Sequence, residues 1–207
     1  MASVIAKLVL ATFNPAKARE MRQILSRCAP SIEFLILGEF PGAIEADETG
    51  STYAENALIK ARAAAAFTGE WAVSDDAGLE IDALEGAPGL HSKRFEGVET
   101  DFPSKMRRIL ELMEGVPEDE RAARFRCCVA LCPPPAVSQV CEVFEAVCEG
   151  RIARQTKGDY GFGYDPIFYL PELNAHMAEL PPEEKHKVSH RGKVLAMLCA
   201  RLKRPNE

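Results

Sequence analysis

The stretch V-I-A-K-L-V-L-A-T-F-N-P-A-K, residues 4–17, decides the fold. Val4 to Ala11 is an apolar run interrupted by a lysine, which reads as a buried strand. Asn14 and Pro15 then supply a helix N-cap and the residue type favoured at the first helical position. Beyond them Ala18, Met21, Leu25 and Cys28 recur at spacings of three and four, the pattern of a helix with one apolar face. A strand that turns directly into a capped helix is the opening of an α/β unit.

The rest of the chain continues the alternation. Ile32 to Leu37 predicts a second strand, and Thr52 with Glu55 a capping box for a second helix that the alanine-rich Ala57 to Phe67 prolongs. Trp71 to Ser74 predicts a short strand ending at Asp75 and Asp76, Ile81 to Leu84 another, and Gly86 to Gly97 a loop. Phe102 to Met113 reads as a helix closed by Gly115 and Pro117. Phe125 to Leu131 and Val140 to Cys148 read as paired strands about the turn Pro133-Pro134-Pro135. After a loop from Gly158 to Pro166, Ile167 to Leu170 extends again. Gly192 to Leu202 predicts a last helix with Val194, Leu195, Leu198 and Leu202 on one face. The expected fold is α/β with a mixed sheet, the hairpin belonging to a smaller lobe.

A chain of 207 residues, 47% hydrophobic and 27% charged, suits one large domain or two fused lobes. The N-terminal apolar run is too short to span a membrane, so a soluble cytosolic protein is expected. The seven cysteines include no pair of C-x-x-C units, which argues against zinc, and most lie in apolar runs, where a free thiol acts as a small hydrophobe. A net charge of −6 provides no general attraction to nucleic acid. A polyanionic ligand would need a local basic pocket, a metal ion, or both.

Five segments carry chemistry. Thr12-Phe13-Asn14-Pro15-Ala16-Lys17 places a helix N-terminus and a lysine where an anion could sit, without the glycine spacing of a Walker loop. Asp47-Glu48-Thr49-Gly50 precedes Tyr53, Asn56 and Lys60, the last two one turn apart on one helix face. Ser74-Asp75-Asp76-Ala77-Gly78-Leu79 sets two carboxylates side by side, which repel unless a cation is near, and Mg²⁺ prefers carboxylate and phosphate oxygens. Gly161-Phe162-Gly163-Tyr164-Asp165-Pro166 lets backbone approach a flat ligand, with Phe162 or Tyr164 to stack on a base and Asp165 to position it. Lys185 and the run Ser189-His190-Arg191-Gly192 add donors at a helix start, Arg191 suiting phosphate or a purine edge. Taken singly, each segment also fits a plain cap, turn or solvated face; His91, His176 and His186 show no ligand spacing.

Together the pieces T-F-N-P-A-K, D-E-T-G, Y-A-E-N-A-L-I-K-A, S-D-D-A-G-L, G-A-P-G, G-F-G-Y-D-P-I-F and S-H-R-G, from residue 12 to residue 192, resemble the inosine triphosphate pyrophosphatases, also called dITP/XTP pyrophosphatases. The resemblance implies an elongated α/β fold with two lobes about a cleft, all in one domain over residues 1–207, and a cytoplasmic homodimer. It implies hydrolysis of ITP, dITP or XTP to the monophosphate and pyrophosphate with Mg²⁺, and neither nucleic acid nor membrane as a partner. By motif, Thr12, Phe13, Asn14, Pro15, Ala16 and Lys17 would hold the triphosphate with Lys60, and Ala77 would lie against the substrate. Asp76 would be catalytic and, with Glu48, a metal ligand. Phe162, Gly163, Tyr164, Asp165, Lys185, His190 and Arg191 would recognise base and sugar. The chain departs from the family pattern at Phe13 (usually glycine), Ala77 (usually serine), His91 and Lys93 (usually tyrosine and alanine), and at Asp159-Tyr160, where small residues are common. The chemistry implied is attack of water on the α-phosphorus, with Asp76 as metal ligand, as orienter of the water, or as both. A nucleotide-binding module without catalysis would keep the lysines but have no use for Glu48, Asp75 and Asp76; an enzyme of broader nucleotide scope is the other alternative.

Overall fold

The computed structural model describes residues 5–203; Val4 of the expected first strand lies outside them. The elements in chain order are β1 (Lys7–Leu10), α1 (Pro15–Cys28), β2 (Glu33–Ile36), α2 (Tyr53–Thr68), β3 (Trp71–Ile81), α3 (Phe102–Leu112), β4 (Ala122–Cys132), β5 (Glu142–Ile152), β6 (Phe168–Leu170), β7 (Ala175–His176), α4 (Pro182–Val188) and α5 (His190–Leu202). The strands form one sheet in the order β2-β1-β3-β4-β5-β6-β7. It is mixed, as expected: β1 runs parallel to β2 and β3, whereas β6 runs antiparallel to β5 and β7. Among the described residues no helix is long and apolar enough to cross a membrane.

The chain divides into two compact units. The first comprises Met1–Asp76, Cys127–Ala146 and Val194–Glu207; the second comprises Ala77–Arg126 and Val147–Lys193. In the first, Leu8, Val9 and Leu10 of β1 are fully buried, the unbroken apolar run of a strand covered on both faces. α1 and α2 lie against β1. The side of α2 that turns inward is built from Ala57, Ala61, Ala64 and Ala65. Such small side chains let the helix backbone approach closely, which shortens the reach required of its polar residues. In the second unit, Leu79, Ile81, Ile109, Met113, Phe125, Ile152, Ile167 and Phe168 form the core.

β4 changes character along its length. Ala123, Phe125 and Cys127 are buried while Ala122, Arg124 and Arg126 are half-buried, the alternation of a one-sided strand; from Cys127 to Cys132 every residue is buried. On the outer side Arg124 pairs with Asp82 and Glu149, and Arg126 with Glu80.

Three expectations are corrected. The strand expected to stop at the aspartates continues through them: Trp71–Ile81 is one strand, Gly78 lies within it, and Ile81–Leu84 is the strand's last residue followed by a 3₁₀ turn, Asp82–Leu84. Burial of most of the segment explains this, because backbone groups away from water are satisfied by a sheet ladder. The final helix begins at His190 and not at the expected Gly192, and it is preceded by another, α4, which starts on Pro182. Four of the cysteines are paired: Cys28 with Cys199 (Cα–Cα 5.8 Å) and Cys132 with Cys141 (Cα–Cα 4.5 Å). Local spacing shows only ligand-like clusters, so a partner 171 residues away escapes it. Cys127, Cys128 and Cys148 are buried and form no disulfide among the described residues, and burial pushes the Cys148 thiol up to about 11.

Gly69 closes α2 in the left-handed conformation (φ 71°), and a Cβ there would meet nothing within 4 Å. Gly69→Ala therefore adds backbone strain without a clash. The expected loss is about 1 kcal/mol, read as a lower urea midpoint with unchanged slope.

Candidate functional site

In the first unit the site grows from β3. Successive side chains in a strand face opposite ways, so Asp75 and Asp76 meet different helices. Asp75 pairs with Lys17 of α1 at 3.3 Å. Asp76 meets α2, where Lys60 Nζ lies 3.3 Å from its Oδ1 and Asn56 Nδ2 donates to its Oδ2 at 3.2 Å. The same Lys60 ammonium donates to Glu48 Oε1 at 2.7 Å, so one cation bridges two carboxylates.

Local structure accounts for each position. Thr52 caps α2 by accepting from Glu55 N, and Glu55 accepts from Ser51 N and Oγ. Asn56 and Lys60 then fall on one face, four residues apart. Gly50 N donates to Asn56 Oδ1 at 2.8 Å, which turns the amide's donor end toward Asp76. A Cβ on Gly50 would stand 2.6 Å from Glu55 Cβ and 2.7 Å from Asn56 Oδ1, so only glycine brings this loop, and Glu48 with it, down onto the helix.

Electrostatics within the cluster are lopsided. Burial raises the Asp76 carboxyl above its ordinary 3.8; Lys60 opposes that and Glu48 adds to it. Burial alone would lower Lys60, but Asp76, Asp75 and Glu48 outweigh it and hold the ammonium above its ordinary 10.5. Both partners of one ion pair thus shift upward: burial dominates at Asp76, and three carboxylates, Asp76, Asp75 and Glu48, act together on Lys60. Among the described residues no group of three or more His, Cys, Asp or Glu side chains is placed to hold a metal ion.

At α1, Asn14 Oδ1 accepts from Ala16 N (2.9 Å) and Lys17 N (3.2 Å), and Thr12 Oγ accepts from Asn14 N. Backbone donors that the sequence offers to an anion are thus engaged by the cap, and the Lys17 side chain is the cation of this turn. Thr12, Phe13, Asn14 and Pro15 line a cavity of about 680 Å³ together with Arg19 and Arg22. The Phe13 ring lies beside Gly38, and Pro15 is exposed.

In the second unit, Phe162, Asp165, Lys185 and Arg191 come together. Asp165 and Lys185 form a buried ion pair at 2.7 Å, and Asp165 Oδ2 also accepts from Phe162 N at 2.9 Å. Gly161 has φ 79°, and a Cβ there would fall 2.2 Å from Asp165 Oδ2. The half-buried Phe162 ring has Lys185 Nζ at 5.0 Å and the Arg191 guanidinium at 5.3 Å from its centroid. Ser189 ends α4 and caps α5 by accepting from Gly192 N at 3.1 Å. A Cβ on Gly192 would fall 1.8 Å from His186 O, so that glycine permits the tight joint between α4 and α5. His190 stacks on Phe125 at 4.6 Å.

Tyr164 is in the core, its ring edge-on to Phe102 and its hydroxyl donating to Ser92 O at 2.9 Å; burial raises that hydroxyl's pKa. Ala77 follows Asp76 in β3 and is half-buried. The structure adds Ser92 to the residues expected, and gives Asn56 and Asp75, singled out by the sequence without a role of their own, their partners. Asn56 was detectable from its spacing to Lys60. Ser92 was not, since its partners Leu79 and Tyr164 lie 13 and 72 residues away.

The sequence profile of the Ham1 family matches residues 8–201. A dITP/XTP pyrophosphatase of Desulforamulus reducens is 50% identical over 189 residues, 91% of this chain and 92% of that protein. A dITP/XTP pyrophosphatase of Geobacillus kaustophilus is 43% identical, covering 93% and 92%. The structure of a HAM1 protein from Coxiella burnetii superposes with a TM-score of 0.85 at 41% identity, covering 95% of this chain and 98% of that one. That of a nucleoside-triphosphatase, dITP/XTP pyrophosphatase, from Mycobacterium abscessus gives 0.73 at 39% identity, covering 93% and 98%.

Asp165→Asn would remove the carboxylate charge that the buried Lys185 ammonium meets at 2.7 Å. The expected loss of stability is about 3 kcal/mol, measured as a shift in denaturant midpoint; an unchanged midpoint would show that the pair contributes no net stability.

Proposed function

The chain belongs to the Ham1 family, and we propose that it is a pyrophosphatase that hydrolyses ITP, dITP and XTP to the monophosphate and pyrophosphate. The observation that carries this reading is the cluster of Lys17, Glu48, Lys60, Asp75 and Asp76, two cations and three carboxylates brought together where lysines of α1 and α2 meet the aspartates of β3. Lysines serve phosphate oxygens, and carboxylates beside them can hold a cation or orient a water. The names of the relatives, dITP/XTP pyrophosphatases, support the substrate class.

The donor set suits Mg²⁺. Glu48 and Asp76 flank one cation, Lys60, and offer hard oxygens. Mg²⁺ is commonly held by one or two carboxylates, with substrate phosphates and water completing the shell. Glu48 and Asp76 are the residues that would hold it, and the ion would supply charge neutralisation at the phosphate oxygens. Lys17 and Lys60 stabilise the charge that grows on the leaving pyrophosphate. Asp76, fixed at Oδ2 by Asn56, orients the attacking water through its carboxylate.

The base falls to the second unit's residues. With the Tyr164 hydroxyl engaged in the core, the flat contact is assigned to Phe162, backed by Lys185 and Arg191. A donor such as Arg191 bonds the 6-oxo group of hypoxanthine or xanthine and leaves the 6-amino group of adenine opposed by another donor. An unpaired buried polar group costs about 1–3 kcal/mol, which supports a tenfold to hundredfold preference over ATP. The proposal includes a cytoplasmic homodimer, as the family resemblance implies.

With ITP, XTP, GTP and ATP in parallel, with and without Mg²⁺, the expected product is pyrophosphate, formed from ITP and XTP at least about tenfold faster than from ATP. Orthophosphate as the first product, or equal rates on ITP and ATP, would overturn the assignment. Asp76→Asn is expected to lower kcat by about a hundredfold or more without loss of stability in EDTA. The native state holds the Asp76 proton more tightly than the unfolded chain does, so ionisation of Asp76 destabilises the fold as pH rises through its raised pKa, and Asn removes that cost. By the same sign, the Asp76 carboxyl of the protein in EDTA titrates above 3.8, the ordinary aspartate value.

A further inference from the structure

Lys105 is a buried lysine that the mechanism leaves unexplained. It lies in α3, 2% exposed, and is among the largest fully buried side chains of the chain. Its ammonium donates to Lys93 O at 2.5 Å and sits 5.2 Å from the centroid of the Phe102 ring. No carboxylate is within ion-pair distance of it among the described residues. Burial accordingly holds its pKa below the ordinary lysine value. A buried ammonium with one carbonyl acceptor and one aromatic face is a poor way to fill space. Methionine would occupy the volume without the desolvation cost. What lysine adds is a donor at the carbonyl of residue 93.

That carbonyl belongs to the segment 86–97, and its neighbour Ser92 ties the segment to two other elements. Ser92 Oγ accepts from Leu79 N of β3 at 2.9 Å, and Ser92 O accepts from the Tyr164 hydroxyl at 2.9 Å. Phe102, from the same helix as Lys105, is edge-on to Tyr164 at 5.2 Å, and its ring lies 3.7 Å from where a Cβ on Gly163 would stand. Residues 163 and 164 are therefore held on both sides, by Phe102 and by the segment that Lys105 anchors. Phe162 and Asp165 directly flank them.

We propose that Lys105 is a positioning residue for nucleobase selection, setting the 161–165 loop through the Lys93 carbonyl, Ser92 and the Tyr164 hydroxyl. The inference rests on the reading that this loop, through Phe162, takes the base. Lys105 touches neither phosphate nor base. Its loss loosens the loop and weakens base discrimination while the phosphate-side cluster keeps its own hydrogen bonds.

The test is steady-state kinetics on ITP and ATP with Mg²⁺ for the wild type, Lys105→Met, Lys105→Arg, Tyr164→Phe, the Lys105→Met/Tyr164→Phe double variant, and Phe162→Ala. Lys105→Met is expected to raise KM for ITP about tenfold, to keep kcat within about threefold, and to narrow the ITP-to-ATP preference. Tyr164→Phe removes one hydroxyl and no packing volume, and is expected to act in the same direction. Because both act on one relay, the double variant is expected to match the worse single variant, not their product. Lys105→Arg keeps the donor and is expected to recover most of the wild-type KM. If Lys105→Met does not fold, Tyr164→Phe and Lys105→Arg still decide. An unchanged KM and unchanged preference in Tyr164→Phe, or multiplicative effects in the double variant, overturns the inference. If Phe162→Ala leaves KM for ITP unchanged, the assignment of the base to this loop is itself wrong. If Phe162→Ala raises KM while the Lys105 and Tyr164 variants do not, only the positioning role fails.

Discussion

Two neighbouring carboxylates inside one buried strand are the constraint on which the first unit's chemistry depends. Had β3 ended at Asp75, both groups would sit in a solvated turn with ordinary properties. Because the strand continues, the pleat sends Asp75 toward Lys17 and Asp76 toward Lys60 and Asn56. Each carboxylate is desolvated and each is matched from a different helix. Desolvated charges gathered in this way cost free energy in a resting core and suit a place where a charged ligand arrives.

Much of the fold was legible because its signals are local. The Asn14-Pro15 cap, the spacing of Ala18, Met21 and Leu25, and Thr52 before the alanine-rich helix each report on residues within a turn of one another, and α1 and α2 lie where those signals place them. The first strand, the second strand and the hairpin about Pro133-Pro134-Pro135 were visible for the same reason. What stayed hidden depends on distance. The length of β3 follows from burial on both sides of a segment whose own composition, two aspartates and a glycine, reads as a turn. The Cys28–Cys199 link, the role of Ser92 and the burial of Lys105 join residues far apart in the chain.

The site residues divide along the same line. Lys17, Glu48, Lys60 and Asp76 could be nominated from motifs, but their arrangement could not: nothing in the letters says that one lysine bridges Glu48 and Asp76 or that Asn56 steadies the second oxygen. In the other unit the aromatic pair of the G-F-G-Y-D segment looked interchangeable. Packing separates them, because the Tyr164 hydroxyl finds a carbonyl in the core whereas Phe162 stays half-exposed between two cationic groups. The glycines are explained by neighbours more than by flexibility: Gly50, Gly161 and Gly192 each stand where a methyl group would strike a specific atom.

The shift of β4 from alternating to continuous burial at Cys127 divides one strand into two regimes of evolutionary tolerance. Up to Arg126, every second position faces outward and is free to drift among polar and charged side chains, provided its cross-strand partner drifts with it. From Cys127 onward both faces are enclosed, so volume and polarity are constrained at each successive residue. Diversity along this single strand should therefore change rhythm midway, loose at alternate positions first and uniformly tight thereafter.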